Sequence, residues 1–204
     1  MKIRDSKGFT LIEIITVVII VGIVSTVAVF NLVNMLPQFR VNSSVRALAS
    51  KLQWARLKSV SENNNFIVYF FSPDNDGKYR YEILDDDDND GQQDNDETMY
   101  TGEEYYLEKG IRFGRAKASV KRTTCGGDID ADGLHFNNDK VTFLPTGRPS
   151  TNGSIYLIPI EDDEDNNAKT IHWRAISVTT NGRIKAWIYD ATVQKCSDSR
   201  GPWK

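Results

Sequence analysis

At 204 residues and a net charge of −3, the chain has room for one domain with a real core beyond an N-terminal segment, and too little for two. Its charge balance gives no general case for nucleic-acid binding, which favours basic surfaces. Two cysteines and two histidines fall short of the Cys/His set that a zinc centre needs.

The first predicted element is a membrane-spanning helix. Between residues 14 and 36 no charged residue occurs, and Val and Ile are dense. A bilayer core of about 30 Å needs roughly 20 helical residues, so the run is long enough to span it. Lys2, Arg4 and Lys7 precede it as a basic flank of the kind that stays cytoplasmic. No small-residue cleavage site follows where a secretory signal peptide carries one. One carboxylate, Glu13, stands just inside the apolar segment. An ionised group costs about 2.5–3.5 kcal/mol at the centre of a membrane helix and less near the interface, so Glu13 either snorkels or has a partner.

Pro37 predicts a kink. Beyond it Val41, Val45, Leu48, Leu52 and Ala55 recur at three- and four-residue steps. They mark an amphipathic helix running to about Glu62 and ended by Asn63-Asn64-Asn65. Its apolar stripe is wide enough to seat a sheet. A nearly continuous helix over 9–62 would be about 80 Å long.

The chain then turns β-rich. Residues 66–71 and 79–84 flank Pro73-Asp74-Asn75-Asp76-Gly77, a hairpin by its turn chemistry. Short strands follow at 111–113, 141–144 and 154–158. Residues 171–178 and 183–189 join through Asn181-Gly182, a two-residue hairpin signal. One long helix followed by antiparallel strands makes an α+β chain, the sheet wrapped on the helix.

The basic leader, the Gly8-Phe9 junction, Thr10-Leu11-Ile12-Glu13 and the Val/Ile run behind them resemble the class III signal of type IV pilins and type II secretion pseudopilins. The resemblance implies cutting by a prepilin peptidase between Gly8 and Phe9 and N-methylation of the new Phe9 amine. It also implies that Glu13 faces the N-terminal amine of a neighbouring subunit, a pair whose disruption would leave a desolvated charge uncompensated. Leu52-Gln53-Trp54-Ala55-Arg56, then Phe143-Leu144-Pro145-Thr146-Gly147-Arg148-Pro149, then Ile176-Ser177-Val178-Thr179-Thr180-Asn181-Gly182-Arg183-Ile184 are similar to the GspH/FimT minor pseudopilins and minor pilins. Inserts near Asp85 and Glu161 lie outside that likeness. The implied organisation is a cleaved leader (1–8), a transmembrane and assembly helix (9–36), an amphipathic helix packed on the head (37–62) and a β-rich, pilin-like head (63–204).

Two acidic stretches raise the question of a metal. Starting at Asp86, the spacing Asp86, Asp88, Asp90, Gly91 and Glu97 satisfies the calcium-loop pattern. It would offer the carboxylates of Asp86, Asp88 and Asp90, the Gln92 carbonyl, Asp94 directly or through water, and a bidentate Glu97. The loop follows a strand, and Gln93 stands where an EF-hand loop has an apolar residue. The reading is therefore an isolated EF-like Ca2+ loop, set against a plain solvated insertion. Asp128, Asp130 and Asp132 repeat the spacing and end at Asp139, a second possible set. Residues 161–165 lack the glycine and read as a solvated loop. Cys125 and Cys196 form one disulfide if the head is translocated, or else two unpaired thiols.

His135 and His172 fall in predicted strands and read as structural. No phosphate-binding glycine loop or nucleophile constellation occurs, so the chain is not expected to be an enzyme. The expected protein is a minor pilin or pseudopilin. It sits in the bacterial inner membrane by a single pass with a periplasmic head, and then joins a type IV pilus or a type II secretion pseudopilus, in its tip or initiation complex. Its partners would be other pilins or pseudopilins, through the helix, and prepilin peptidase. The rivals are a DNA-binding minor pilin, drawing on Arg183, Lys185, Lys195, Arg200 and Lys204, and a calcium-stabilised adhesive head.

Overall fold

A computed structural model describes residues 8–115, 120–162, 172–190, 192–193 and 201–204, with only the backbone described at 27, 30, 31 and 34. The chain divides into two compact units, Met1–Leu36 and Pro37–Lys204. Helix α1 (Leu11–Glu62) contributes to both and carries Pro37 inside it.

In the first unit α1 exposes its apolar side chains all round, Ile12, Val18 and Ile23 among them. A helix that is hydrophobic on every side needs an apolar environment or partner helices. Among the described residues no helix is long and apolar enough to cross a membrane. The side chains of Val27, Phe30, Asn31 and Asn34, inside the uncharged run, are not among those described.

In the second unit the helix is the spine of the core. Val41, Val45, Leu48, Leu52 and Ala55 are all buried, because steps of three and four residues keep them on one face. The helix ends after Glu62, where Asn63 takes a left-handed φ of 60°, a conformation Asn tolerates at a helix C-terminus.

The strands form two sheets instead of the single wrapped sheet expected. In the first, β1 (Asn65–Phe71) pairs with β2 (Arg80–Asp86) in antiparallel register from Asn65 against Asp86 to Phe71 against Arg80. The turn between them closes on Asp74, whose Oδ1 accepts from the backbone N–H groups of Asp76 and Lys78. Strand β3 (Thr98–Tyr100) is added to β2 beyond the acidic loop. On the other side β1 pairs with β6 (Lys140–Phe143).

The second sheet runs in the order β4 (Ile111–Phe113), β7 (Gly153–Pro159), β8 (Arg174–Val178) and β9 (Ile184–Ile188), with β5 (Leu134–His135) also paired to β7. Every residue of β7 and β8 is buried, since both faces of this sheet are covered. Ile155, Leu157, Ile176 and Val178 point into the core shared with α1 and the first sheet. Their alternate neighbours Tyr156, Ile158 and Ala175 pack instead with Val120, Ile129, Trp173 and Trp203.

The β8–β9 connection corrects a detail. A two-residue type I′ turn needs positive φ at both central residues, and only Gly182 (φ 78°) has it. Thr179 N–H donates to Arg183 O at 3.0 Å and Gly182 N–H to Thr179 O at 2.8 Å. The loop is therefore three residues long, a turn followed by a left-handed glycine. The strand expected over 171–178 begins at Arg174, so His172 precedes it, and Ile171 lies outside the described residues.

Candidate functional site

At the N-terminal end, Glu13 folds back on Thr10. Its Oε2 accepts from the Thr10 backbone N–H at 2.9 Å and from the Thr10 hydroxyl at 2.9 Å, while Glu13 N–H donates to Thr10 Oγ1 at 3.3 Å. This is a capping box at the first turn of α1. The T-x-x-E spacing of Thr10 and Glu13 is its sequence signature. Lys2, Arg4 and Lys7 lie outside the described residues.

The acidic loop between β2 and β3 is a folded structure. Asp86 is fully buried, and both its oxygens accept from Gly91 N–H, at 3.3 and 3.2 Å, with Asn65 Nδ2 at 3.2 Å from Oδ2. Gly91 has a φ of 79°, so the chain reverses sharply there. Glu97 closes the loop, accepting from Asp87 N–H at 3.1 Å and Asp94 N–H at 2.9 Å. Carboxylate oxygens of Asp86, Asp88 and Glu97 come within 4.8 Å of one another, as do those of Asp88, Asp90 and Asp94. Gln92, expected to offer its carbonyl, donates its backbone N–H and side-chain amide to Asp90 at 2.7 and 3.0 Å. An all-oxygen set with a buried first carboxylate and a glycine at the reversal fits a hard cation such as Ca2+.

The loop is anchored to the head. Tyr69 Oη and Lys140 Nζ both donate to Gly91 O, at 3.5 and 3.4 Å. Asn64 Nδ2 donates to Asp87 at 2.6 Å and Asn65 N–H to Asn89 at 2.8 Å. Burial and the negative charge of Asp86, Glu97 and Asp90 together raise the Tyr69 phenol above its ordinary value. Burial likewise raises the Asp85 carboxyl.

The second acidic set is used differently. Asp128 pairs with Lys121 at 2.7 Å. Asp130 takes Arg122 at 3.3 Å and His135 Nδ1 at 2.8 Å. Asp132 caps the Leu134 N–H at 3.0 Å. Among the described residues, no three of Asp128, Asp130, Asp132 and Asp139 bring their oxygens together. Asp128 and Asp130 are held instead by Lys121, Arg122 and the His135 ring. His135 is thus a structural link in β5, and His172 is buried. The expectation of a solvated loop at 161–165 is corrected at Asp162, which is buried and accepts from Trp173 Nε1 at 2.9 Å. Asp163, Glu164 and Asp165 lie outside the described residues.

The three sequence blocks around Arg56, Gly147 and Gly182 meet in one place. The loop Leu144-Pro145-Thr146-Gly147-Arg148 has the geometry of the β8–β9 loop. Gly147 N–H donates to Leu144 O at 2.8 Å, Leu144 N–H to Arg148 O at 2.8 Å, and Gly147 has φ 72°. The two glycines pack against each other, so a Cβ on Gly182 would overlap the Gly147 carbonyl oxygen and lie 2.8 Å from Arg56 Nε. From α1, Arg56 Nε donates to that same carbonyl at 2.8 Å. The buried Ser59 hydroxyl bonds Leu144 O at 3.0 Å and Arg56 O at 2.8 Å. Helix and both loops are locked at a junction with no room for a side chain at Gly182, while at Gly147 a Cβ would press on the Val60 methyl.

The C-terminal cations are dispersed. Lys204 pairs with Asp190, and Lys185 Nζ lies 3.3 Å over the Trp187 ring. Lys195 and Arg200 lie outside the described residues. Cys125 is disulfide-bonded; its expected partner Cys196 lies outside the described residues.

The family model for Type II transport protein GspH matches residues 44–182, a span that contains the whole Arg56–Gly147–Gly182 junction. The Prokaryotic N-terminal methylation motif matches residues 3–29. No curated protein sequence matches the chain. Among solved structures, the minor pseudopilin EpsH from the Type 2 Secretion System of Vibrio cholerae is similar at 14% identity, with 73% of this chain and 97% of that one covered and a TM-score of 0.42. The type IV minor pilin FimU of Pseudomonas aeruginosa is similar at 15% identity, with 78% and 93% covered and a TM-score of 0.42.

Proposed function

The chain belongs to the GspH family of type II transport proteins, and on that premise we propose that it is made as a membrane-anchored precursor and becomes a minor subunit at or near the tip of a filament. It is a structural pilin or pseudopilin subunit with a pilin-like α+β fold. The observation that carries the proposal is the presence in one chain of the methylation motif over 3–29 and the GspH match over 44–182. In this reading the uncharged run between residues 14 and 36 holds the precursor in the inner membrane, with the head outside the cytoplasm. Prepilin peptidase cuts between Gly8 and Phe9, and the Phe9 amine is methylated. Glu13, held at the first helical turn, then meets the terminal amine of a neighbouring subunit inside the helix bundle. The role is assembly, not catalysis.

Co-expression with prepilin peptidase and mass spectrometry of the product test this directly. Mature protein beginning at N-methylated Phe9 is expected, and Gly8→Val should leave the leader in place. Glu13→Ala should be processed normally yet drop out of purified filaments. An intact leader in the wild type, or normal incorporation of Glu13→Ala, would sink the reading.

The acidic loop supports a second part of the proposal: residues 86–97 bind one Ca2+, with Asp86, Asp88, Asp90, Asp94 and Glu97 as carboxylate ligands. Bound calcium would neutralise crowded charge and fix the loop to the head. Calorimetric titration of the full chain in detergent should show saturable binding, with Asp86→Asn/Glu97→Gln silent. No heat in the wild type would leave the loop as a solvated insertion.

A further inference from the structure

The outer face of the first sheet carries an apolar row that belongs to neither core. Met99, Leu84, Ile67 and Thr142 stand in register across its four strands. Ile67 and Leu84 are 1% and 0% exposed, although the inner core takes Phe66, Val68 and Ile83 from the opposite face. On one side of this row lies the Asn65–Asp86 pair, and on the other Tyr69 with Lys140. The acidic loop is tied to both sides. Gly91 N–H donates to the Asp86 carboxylate, and Gly91 O is reached by Tyr69 Oη and Lys140 Nζ. One residue thus bridges two rows about 13 Å apart along the strands, and the loop lies over Ile67 and Leu84 between them.

We propose that residues 87–97 are a strap over this row, shut when a divalent cation neutralises the loop and open when it is absent. The inference rests on the calcium reading above and adds what the cation controls. Two opposed effects of the same order act on the strap. Covering Ile67 and Leu84 removes apolar surface from water and holds it shut. Against this, seven of the twelve residues from Asp86 to Glu97 are acidic and none is basic. Carboxylate oxygens within 4.8 Å of one another repel more strongly at a protein surface than in bulk water. Bound calcium removes the repulsion and leaves the burial. The far tethers are one phenol and one ammonium on a neutral carbonyl, too weak to hold the loop by themselves. Without the cation the head bares Ile67 and Leu84, a strip that the half-buried Tyr69 and Phe71 continue on the same face.

Hydroxyl-radical footprinting of the full chain in detergent, read residue by residue by mass spectrometry, tests the strap with calcium and after its removal by chelation and desalting. In calcium, oxidation at Ile67 and Leu84 should be as low as at Phe66 and Ile83, which face the inner core. Without calcium it should rise severalfold at Ile67 and Leu84 alone. Tyr69→Phe/Lys140→Met cuts the far tethers and none of the carboxylates, so it should raise Leu84 oxidation in calcium while the heat of calcium binding persists. A rise at all four core and row positions would mean that the head unfolds as one body, and would overturn the proposal. Saturable calcium heat with Leu84 equally protected in both conditions would overturn the strap and leave the calcium reading standing. No calcium heat at all would end both.

Discussion

Gly182 shows how a single missing side chain can organise a head. Its φ of 78° lies in the region where an L-residue is strained, and the Gly147 carbonyl occupies the space a Cβ would need. Gly182→Ala would have to separate the two loops and weaken the bond from Arg56. A loss of about 3 kcal/mol is expected, readable by denaturant unfolding, whereas Ala at the open Gly77 should cost less. Equal effects at the two positions would mean that backbone strain alone matters and the loop contact does not. At the other end of the head, the Lys204 ammonium, then the Thr192 hydroxyl and N–H, hold the Asp190 carboxyl down to about 2. An unfolded Asp titrates near 3.9. This group therefore stabilises the head above about pH 4 and ceases to do so as pH falls from there through about 2. Asp190→Asn should flatten that part of the acid-unfolding profile; identical profiles would remove the role.

The elements differ in how plainly the sequence announces them. The stripe from Val41 to Ala55 was legible because burial on one helix face leaves a period that nothing else produces. The β1–β2 hairpin was equally legible, since two β-prone runs flank a turn rich in Pro, Asp and Gly. Strands β3 and β5, three and two residues long, have too few positions to show alternation and owe their pairing to neighbours already in place. The second core was hidden for a related reason: Val120, Ile129 and Trp203 come from irregular segments. The acidic loop was read from its spacing, but the same spacing at Asp128 gave a different structure because Lys121, Arg122 and His135 are there to pair with it. The helix stripe also makes a quantitative prediction. Leu48 is fully buried between both sheets, so Leu48→Ala should cost about 2–5 kcal/mol, with no effect on processing at Gly8. A smaller loss in urea unfolding would mean the surrounding side chains collapse into the space.

At the scale of the whole molecule, the outer core of the head is closed by segments far apart in sequence. Trp203 packs against Tyr156 in a tilted pair and against Tyr189 edge-to-face, at centroid distances of 5.3 and 5.1 Å. Its Nε1 donates to Lys121 O at 2.8 Å, while Lys204 and Ile188 exchange backbone bonds at 2.8 and 2.9 Å. Residues 203 and 204 thus form an isolated bridge at the end of β9, and Trp203 packs on the outer face of the second sheet. Cys125 lies a few residues beyond the Lys121 carbonyl that Trp203 bonds, and a disulfide from it to Cys196 would constrain the same closure in the unfolded chain. With Cys196 as partner, a loop of roughly 70 residues corresponds to about 4 kcal/mol in the chain-entropy model, an upper value. For a head of this size that is a fall in melting temperature of roughly 10 °C. Cys125→Ser, or reduction of the wild type, should produce that fall together with a red shift of Trp203 fluorescence as its ring becomes wet. A melting shift without the fluorescence change would mean that the bond restrains only the unfolded state. A fluorescence change at constant melting temperature would mean that this closure opens as a local unit over an intact inner core. The packing of Trp203 against residues on both sides of the disulfide predicts that the two signals move together.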